Sequence, residues 1–241
     1  MTNTQLLISV TNTTEALIAM NAGADIIDLK DPNVGALGAL PYQITHDIVQ
    51  TINHRTLVSA TVGEHHQSIL DLNLAIEHTA SLGVDIVKIA LSTALAESLL
   101  SDIGFIEKVN QLKNNKVKLV AVLFADQNLA MGIMPSLKKI GFDGVMLDTA
   151  HKNGQSLIYH LSIALLTEFI EVCGQYEFIS GLAGSLQLGS VDNLVRLKPS
   201  YLGFRGGVCQ DLNRQSKLDI SKIIQIKNML LKYNKLTEIA H

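Results

Sequence analysis

The sequence predicts an α/β fold, a TIM (β/α)8 barrel that spans residues 1–241 as one domain. Eight short apolar runs have the length of buried strands, and an amphipathic segment follows each of them. Strands that alternate with helices form parallel βαβ units. An open, doubly wound sheet is the alternative fold. The even number of strands and the absence of a GxGxxG motif after the first strand argue against it.

The strands are predicted where aliphatic and β-branched residues form runs too short for a helix. In chain order they cover residues 6–10, 25–30, 56–63, 84–90, 117–124, 143–148, 177–184 and 201–207. The helices are predicted where apolar residues recur every three or four positions. They cover residues 14–22, 42–53, 69–82, 94–113, 128–140, 156–173, 186–197 and 220–233.

Three of the turns that lead from a helix into a strand share one pattern. The segments "NAGAD", "SLGVD" and "KIGFD" each place a glycine, one further residue and an aspartate ahead of a strand. We expect Gly23, Gly83 and Gly141 to end helices in the left-handed conformation, which glycine adopts without steric strain. Each aspartate then begins the next strand.

Composition narrows the class of protein. The net charge of −3 and the 5% aromatic content give no case for a nucleic-acid partner. No apolar run approaches the roughly 20 residues that cross a membrane. The N-terminal "MTNTQLLISV" lacks the cationic region of a signal peptide, and Cys173 and Cys209 form neither a disulfide framework nor a zinc motif. We expect a cytoplasmic protein.

Polar residues cluster where the predicted strands end, which is where TIM barrels carry their active sites. They are Lys30, Asp31, Glu64, His65, His66, Lys88, Asp126, Asp148, His151 and Lys152. The His65–His66 pair lacks a matching third ligand, so we predict no metal and no other cofactor. The sequence assigns no role to His65, His66 or His151.

Lys88 is the most informative of these residues because it lies inside the apolar strand "DIVKIA". Its ammonium must be desolvated, which is unfavourable unless the group is paired or its pKa falls. One interpretation is an ion pair with Asp28 or Asp148. The other is a lysine kept partly neutral for nucleophilic or base catalysis, which the nearby Lys30, Asp148 and Lys152 favour.

The last two strands end in glycine-rich segments, "SGLAGSLQ" and "GFRGGVC". Bare backbone N–H groups bind phosphate, and the loops after strands 7 and 8 form the recurrent phosphate site of TIM barrels. The predicted phosphate-binding residues are Gly181, Ala183, Gly184, Ser185, Arg205, Gly206 and Gly207. Tight turns that require glycine are the alternative interpretation.

Lysines, carboxylates and a phosphate site together indicate a phosphorylated carbonyl substrate. A lysine that attacks a carbonyl forms an iminium, which acts as an electron sink. Loss of a neighbouring proton gives an enamine, which attacks an aldehyde or eliminates a leaving group. This is the chemistry of a class I aldolase or a lyase.

Five segments make the prediction more specific: "DIIDLKDPNVGALGA", "VDIVKIAL", "MLDTAHKNGQSL", "SGLAGSL" and "YLGFRGGVC". Together they resemble the (5-formylfuran-3-yl)methyl phosphate synthase family, also called 4-(hydroxymethyl)-2-furancarboxaldehyde-phosphate synthase. The resemblance implies a class I aldolase-like barrel that condenses two glyceraldehyde 3-phosphate molecules for methanofuran-type cofactors. One phosphate and two waters leave, so the enzyme is a carbon–oxygen lyase acting on phosphates.

The resemblance also implies roles for individual residues. Lys30 is the Schiff-base lysine, Lys88 the proton acceptor, and Asp148 and Lys152 are further active-site groups. Asp28 lies two residues before Lys30 on the same strand face, so we expect it to orient that lysine. We also expect a homo-oligomer. A plain aldolase without phosphate elimination and a non-enzymatic phosphosugar-binding barrel are the alternative functions.

Overall fold

The computed structural model describes residues 3–127, 129 and 131–239, and its eight parallel strands form a closed barrel. Each strand pairs with the next along the chain, and the last closes against the first with Gly203 beside Leu7. The predicted (β/α)8 barrel is confirmed, and the open sheet is excluded. The strands are Gln5–Val10 (β1), Ile26–Leu29 (β2), Leu57–Thr61 (β3), Ile86–Ala90 (β4), Lys118–Phe124 (β5), Gly144–Asp148 (β6), Ile179–Leu182 (β7) and Tyr201–Phe204 (β8).

Helices surround the barrel and bury their apolar faces against the outer surface of the strands. No helix in the described part of the chain has both the length and the apolar character needed to cross a membrane. The α-helices are Thr13–Asn21 (α1), Tyr42–Ile52 (α2), Ile69–Ser81 (α3), Thr93–Ser101 (α4), Ile103–Asn114 (α5), Met134–Ile140 (α6), Leu157–His160 (α7), Ile163–Gln175 (α8), Val191–Val195 (α9) and Ile220–Ile239 (α10).

Two helices that we predicted as continuous are divided. Asp102 has an extended backbone (φ −90°, ψ 108°) between α4 and α5, and its Oδ1 accepts a hydrogen bond of 2.7 Å from the Phe105 N–H. Ser162 caps α8 through the Leu165 N–H in the same way. Short polar side chains satisfy the first N–H groups of a helix, so they start a new helix where periodicity alone suggests continuation. The predicted start at Asn128 lies outside the described residues.

The glycine–aspartate pattern has a clear structural role. Gly23, Gly83 and Gly141 have φ values of +94°, +91° and +106°, as predicted for left-handed helix ends. The side chain of the aspartate that follows each glycine accepts a hydrogen bond of 2.8 Å from a backbone N–H near the start of the preceding strand. The donors are the N–H groups of Leu6 for Asp25, of Val58 for Asp85 and of Leu119 for Asp143. The pattern therefore fixes the register of neighbouring strands at the N-terminal face of the barrel.

The barrel interior combines an apolar floor with charged groups. A cluster around Tyr201, Leu7, Met146 and Val120 fills the interior. The Tyr201 ring lies against Gly181, where a side chain on Gly181 would collide with it. Asp28 and Lys88 are buried in the same interior and are 0% and 1% exposed, so the residues that fill the barrel also include ionisable groups.

Candidate active site

Lys88 and Asp28 form a buried ion pair inside the barrel, between β4 and β2. The carboxylate of Asp28 also accepts hydrogen bonds from the Ser9 hydroxyl at 2.8 Å and the Ser59 hydroxyl at 2.6 Å. Burial lowers the pKa of Lys88, and the Asp28 carboxylate offsets part of this shift. Burial acts to raise the pKa of Asp28, but the Lys88 ammonium reverses the effect, so its pKa lies below the ordinary value.

Asp148, the last residue of β6, bridges the other two lysines. Its Oδ2 lies 3.3 Å from the Nζ of Lys30, and its Oδ1 accepts a hydrogen bond of 2.7 Å from the Nζ of Lys152. Although burial alone raises the pKa of this carboxyl, Lys152 and Lys30 hold the pKa well below its usual range. Burial also lowers the pKa of Lys152, against the opposing effect of Asp148. The structure thus brings Lys30, Asp148 and Lys152 together.

The partner predicted for Lys30 is different in the structure. We expected Asp28 to orient Lys30 from two residues earlier in β2, but the carboxylate of Asp28 is occupied by Lys88, Ser9 and Ser59. Lys30 contacts Asp148 instead. Closure of the barrel brings β4 to Asp28 and β6 to Lys30, and this closure decides the pairing.

Asp126, which follows β5, shapes the loop that carries Lys152. Its carboxylate accepts hydrogen bonds of 2.7 Å from the N–H groups of Ala150 and His151. The His151 ring lies 3.0 Å from the same carboxylate and is largely exposed. Asp126 therefore positions the loop after β6, and His151 is part of this support at the rim of the site.

The loop after β7 presents backbone N–H groups to the cavity. Gly184 and Ser185 both have left-handed backbones, with φ of +103° and +49°. Within the described residues, the N–H groups of Gly184, Ser185 and Leu186 donate to no other group. Buried N–H groups normally have a partner, and successive N–H groups in such turns form anion-binding concavities. These three N–H groups are therefore available to a ligand, and phosphate binding by this loop stays a prediction.

The loop after β8 packs tightly against this turn. A side chain on Gly207 would collide with the carbonyl oxygen of Leu186, and one on Gly184 would press on Thr149. Glycine is therefore required at position 207, where the loops after β7 and β8 meet, and at position 184, where the loop after β7 meets the loop after β6. Gly206 and Gly207 begin a short 3₁₀ helix, Gly206–Val208, whose first residues also line the cavity.

Two of the predicted phosphate ligands, Gly181 and Arg205, have other roles in the structure. Gly181 lies within β7 beneath the cavity, where its missing side chain makes room for Tyr201. Ala183 does line the cavity through its methyl group. Sequence analysis counted Gly181 as a phosphate ligand because it belongs to the glycine-rich segment at the end of the strand predicted over residues 177–184.

Arg205 is the second correction: it lines the cavity, but its guanidinium is fully engaged by other groups of the protein. It donates five hydrogen bonds, two of them to the carboxylate of Glu15 at 2.6 and 3.2 Å. The others reach the carbonyl oxygens of Ser9, Arg214 and Ser216. A guanidinium has five N–H donors, so this network uses its full capacity. Arg205 stabilises the loop after β8 and has no donor left for a phosphate.

We expect Arg205→Gln to reduce the free energy of unfolding by about 3 kcal/mol, because it leaves the poorly exposed carboxylate of Glu15 without its counter-ion. Urea denaturation measures this change, and Glu15→Gln in the same chain should restore part of the loss. Unchanged stability together with a raised KM for a phosphorylated substrate would contradict the structural role.

A cavity of about 230 Å³ opens at the C-terminal end of the barrel, slightly below the range of about 300–1,000 Å³ that is usual for ligand sites. It is lined by Lys30, Asp148 and Lys152 and by both glycine-rich loops. Lys88 and Asp28 lie below it in the barrel interior. The cavity therefore combines two amines, a carboxylate and the backbone N–H groups of the glycine-rich loops.

Sequence analysis missed Arg214, which also lines this cavity. It lies in the irregular loop "DLNRQSK", beyond the strand end, where no spacing rule places it over the barrel. Glu64 was noted only as a strand-end charge, but its carboxylate binds the Leu37 N–H and holds the loop after β2. Within the described residues, no group of three or more metal-ligating side chains is present, including around His65 and His66.

Comparison with solved structures shows the same fold at low sequence identity. A 3-hexulose-6-phosphate synthase from Salmonella typhimurium has a TM-score of 0.68 at 15% identity, over 95% of this chain and 99% of that one. A phosphoribosyl anthranilate isomerase from Thermotoga maritima has a TM-score of 0.65 at 15% identity, over 96% and 98% of the two chains. At these identities the likeness concerns the barrel alone.

Comparison of sequences is more specific. A putative (5-formylfuran-3-yl)methyl phosphate synthase from Methylorubrum extorquens is 39% identical over 221 residues, 92% of this chain and 89% of that protein. The (5-formylfuran-3-yl)methyl phosphate synthase from Methanosarcina mazei is 34% identical over 85% of this chain and 90% of that protein. The family model described as 4-HFC-P synthase matches residues 6–227. The chain therefore belongs to the 4-HFC-P synthase family, whose curated relatives are named (5-formylfuran-3-yl)methyl phosphate synthases.

Proposed function

We propose that this protein is a Schiff-base-forming lyase that condenses two glyceraldehyde 3-phosphate molecules into 4-(hydroxymethyl)-2-furancarboxaldehyde phosphate. The observation that carries the proposal is the cavity that Lys30, Asp148 and Lys152 share with a loop whose N–H groups have no partner in the described part of the chain. Conversion of a phosphorylated carbonyl compound requires an amine and a carboxylate at the carbonyl group and an anion site for the phosphate. Family membership supports the furan product, which would supply a methanofuran-type cofactor.

Lys30 is the proposed nucleophile. Its Nζ attacks the carbonyl carbon of one triose phosphate, after an aldose–ketose shift, and loss of water forms the iminium. Asp148 contacts Lys30 and Lys152 through different oxygens, so it fixes both amines relative to the same carbonyl. Lys152, whose pKa burial lowers, is placed to carry protons to and from the carbonyl oxygen.

Lys88 is the proposed acceptor of the proton next to the iminium carbon. Burial lowers its pKa, and the nearby ammonium of Lys30 lowers it further, so Lys88 releases its own proton more readily than a solvated lysine. Asp28 holds the amine in place through the buried ion pair. Removal of the proton gives an enamine, which attacks the aldehyde carbon of the second triose phosphate.

The atoms of this reaction balance. Two trioses supply the six carbons of the product, and ring closure with aromatisation removes two waters and one phosphate. In the phosphate elimination a C–H bond and a C–O bond break, the proton goes to a base, and the C–O electron pair leaves with the phosphate. No oxidant or reductant is required. The N–H groups of Gly184, Ser185 and Leu186 would hold one of the two substrate phosphates.

Purified protein incubated with glyceraldehyde 3-phosphate alone tests this proposal. Release of inorganic phosphate together with the mass of a furan aldehyde phosphate is the expected result. Formation of a six-carbon bisphosphate without phosphate release would instead indicate a plain aldolase. Binding without any conversion would indicate the phosphosugar-binding barrel.

The tight contact between the two loops gives a prediction for substrate binding. We expect Gly207→Ala to lower kcat/KM by about 10- to 100-fold, because the new methyl group must displace the Leu186 carbonyl and with it the N–H groups that face the phosphate. Steady-state kinetics measure the effect. Gly189→Ala is the matched control, since open space surrounds Gly189. Equal kinetics for both variants would argue against phosphate binding by this loop.

A further inference from the structure

Arg214 is the guanidinium at the cavity that still has hydrogen-bond donors to offer. One of its N–H groups, on Nη2, donates to the Gly35 carbonyl oxygen at 2.9 Å. Its remaining N–H groups donate to no other residue in the described part of the chain, and no carboxylate there forms a salt bridge with it. Arg205, by contrast, donates all five of its side-chain N–H groups to the Glu15 carboxylate and three carbonyl oxygens.

Arg214 extends from the loop after β8 to the loop after β2. Its Cβ lies 3.7 Å from the point where a side chain on Gly206 would begin, so its backbone lies against the loop after β8. Its guanidinium reaches the loop after β2, which Glu64 and a bridge between Asp31 and Gly38 hold in place. Arg214 thus spans the cavity that Lys30 and the glycine loop also line.

The charge of Arg214 is partly desolvated and incompletely balanced. Burial lowers the pKa of its guanidinium, while the carboxylates of Asp148, Glu64 and Asp31 act in the opposite direction from a distance. Asp148 is already paired with Lys30 and Lys152, and Glu64 binds the Leu37 N–H. A desolvated guanidinium with unused donors favours a bound anion, and its planar fork matches a phosphate monoester.

The proposed reaction needs two phosphate sites, because both substrate molecules are triose phosphates. The loop at Gly184–Leu186 provides one set of N–H donors, beside β7. Resting on the proposed function, we propose that Arg214 binds the phosphate of the second triose, the molecule whose aldehyde the enamine attacks. Lys30 and both sites line the same cavity, so the first triose would present its carbonyl carbon to the amine and the second would present its aldehyde to the enamine, with the two phosphates held apart.

The test combines phosphate binding with kinetics in Arg214→Gln. Calorimetric titration with inorganic phosphate should find two sites in the native protein and one in the variant. The KM for glyceraldehyde 3-phosphate should rise by about 10- to 100-fold, the effect of losing a charge-assisted hydrogen-bond pair. The triose phosphate concentration that half-saturates borohydride trapping at Lys30 should not change, because trapping requires the first triose alone.

Two further variants complete the design. Arg196→Gln is the matched control, because the Arg196 guanidinium contacts the exposed hydroxyl of Tyr233 outside the cavity. Arg214→Lys keeps the charge but loses the fork, so it should retain a weakened second phosphate site. If melting curves show that Arg214→Gln does not fold, Arg214→Lys provides the decisive comparison.

The outcomes separate this inference from the proposed function. Unchanged phosphate stoichiometry and KM in Arg214→Gln would overturn the assignment. A native protein that binds only one phosphate would also overturn it, because the second site would not exist. A variant that loses trapping at Lys30 would overturn it as well, because Arg214 would then serve the first triose. If the native protein forms no furan product but loses one of two phosphate sites on substitution, the proposed function fails while the Arg214 site stands.

Discussion

Replacement of Lys30 by methionine is expected to abolish turnover of glyceraldehyde 3-phosphate, with a loss of about 10⁴-fold or more in kcat. Methionine has a similar length and no nucleophile, so the iminium cannot form at this position. The substitution removes one of two amines on Asp148 and leaves Lys152 at 2.7 Å as counter-ion, so the carboxylate stays paired and the barrel should fold. Phosphate release and furan formation, measured in parallel, report the loss.

Borohydride trapping then identifies the amine that forms the Schiff base. Native protein treated with triose phosphate and borohydride should gain the mass of one reduced adduct, and peptide mapping should place that adduct on Lys30. Lys152→Met is the matched control, because Lys152 lies on the same carboxylate and its loss should slow proton transfer while preserving the adduct. An adduct on Lys152 in the Lys30→Met protein, with turnover retained, would transfer the nucleophilic role to Lys152.

Most of the fold was readable because local signals agreed with one another. Eight apolar runs, the helical periodicity between them and the turns before Asp25, Asp85 and Asp143 all indicated parallel units. The helix breaks at Asp102 and Ser162 were missed because the apolar periodicity continues across both positions. Each break depends on a capping hydrogen bond from a nearby backbone N–H to the side chain. Such a bond is invisible in the apolar pattern.

The candidate site was readable as a set of residues but not as a set of contacts. Strand-end position identified Lys30, Asp148 and Lys152, because parallel strands bring their C-terminal ends to one face. It could not show that Asp28 pairs with Lys88, since that depends on the closure of β2 and β4 around the interior. It also could not show that Arg205 uses all its donors within the protein while Arg214 lines the cavity with donors unused in the described residues, because loop conformation decides the contacts of each guanidinium.

Substitution of the buried pair of Lys88 and Asp28 should give the second large effect on turnover. At this pair, stability can be restored by a second substitution while activity is not. Lys88→Met should abolish turnover and reduce the free energy of unfolding by about 3–5 kcal/mol, because it leaves Asp28 charged and unpaired in the interior. Asp28→Asn together with Lys88→Met removes both charges and can keep hydrogen bonds to Ser9 and Ser59. The double variant should therefore recover most of the stability and none of the activity.

The pH dependence of the single variant follows from the same pair. In the native protein the Lys88 ammonium lowers the pKa of Asp28, so this carboxyl contributes stability above the unfolded pKa of aspartate and loses it as pH falls through its folded pKa. Without Lys88, Asp28 becomes easier to protonate, and the stability difference between native and Lys88→Met proteins should shrink toward acid pH. Denaturation curves at neutral and acid pH measure this. A constant difference would show that lost packing, and not the unpaired carboxylate, destabilises the variant, while native turnover in the double variant would exclude Lys88 as the proton acceptor.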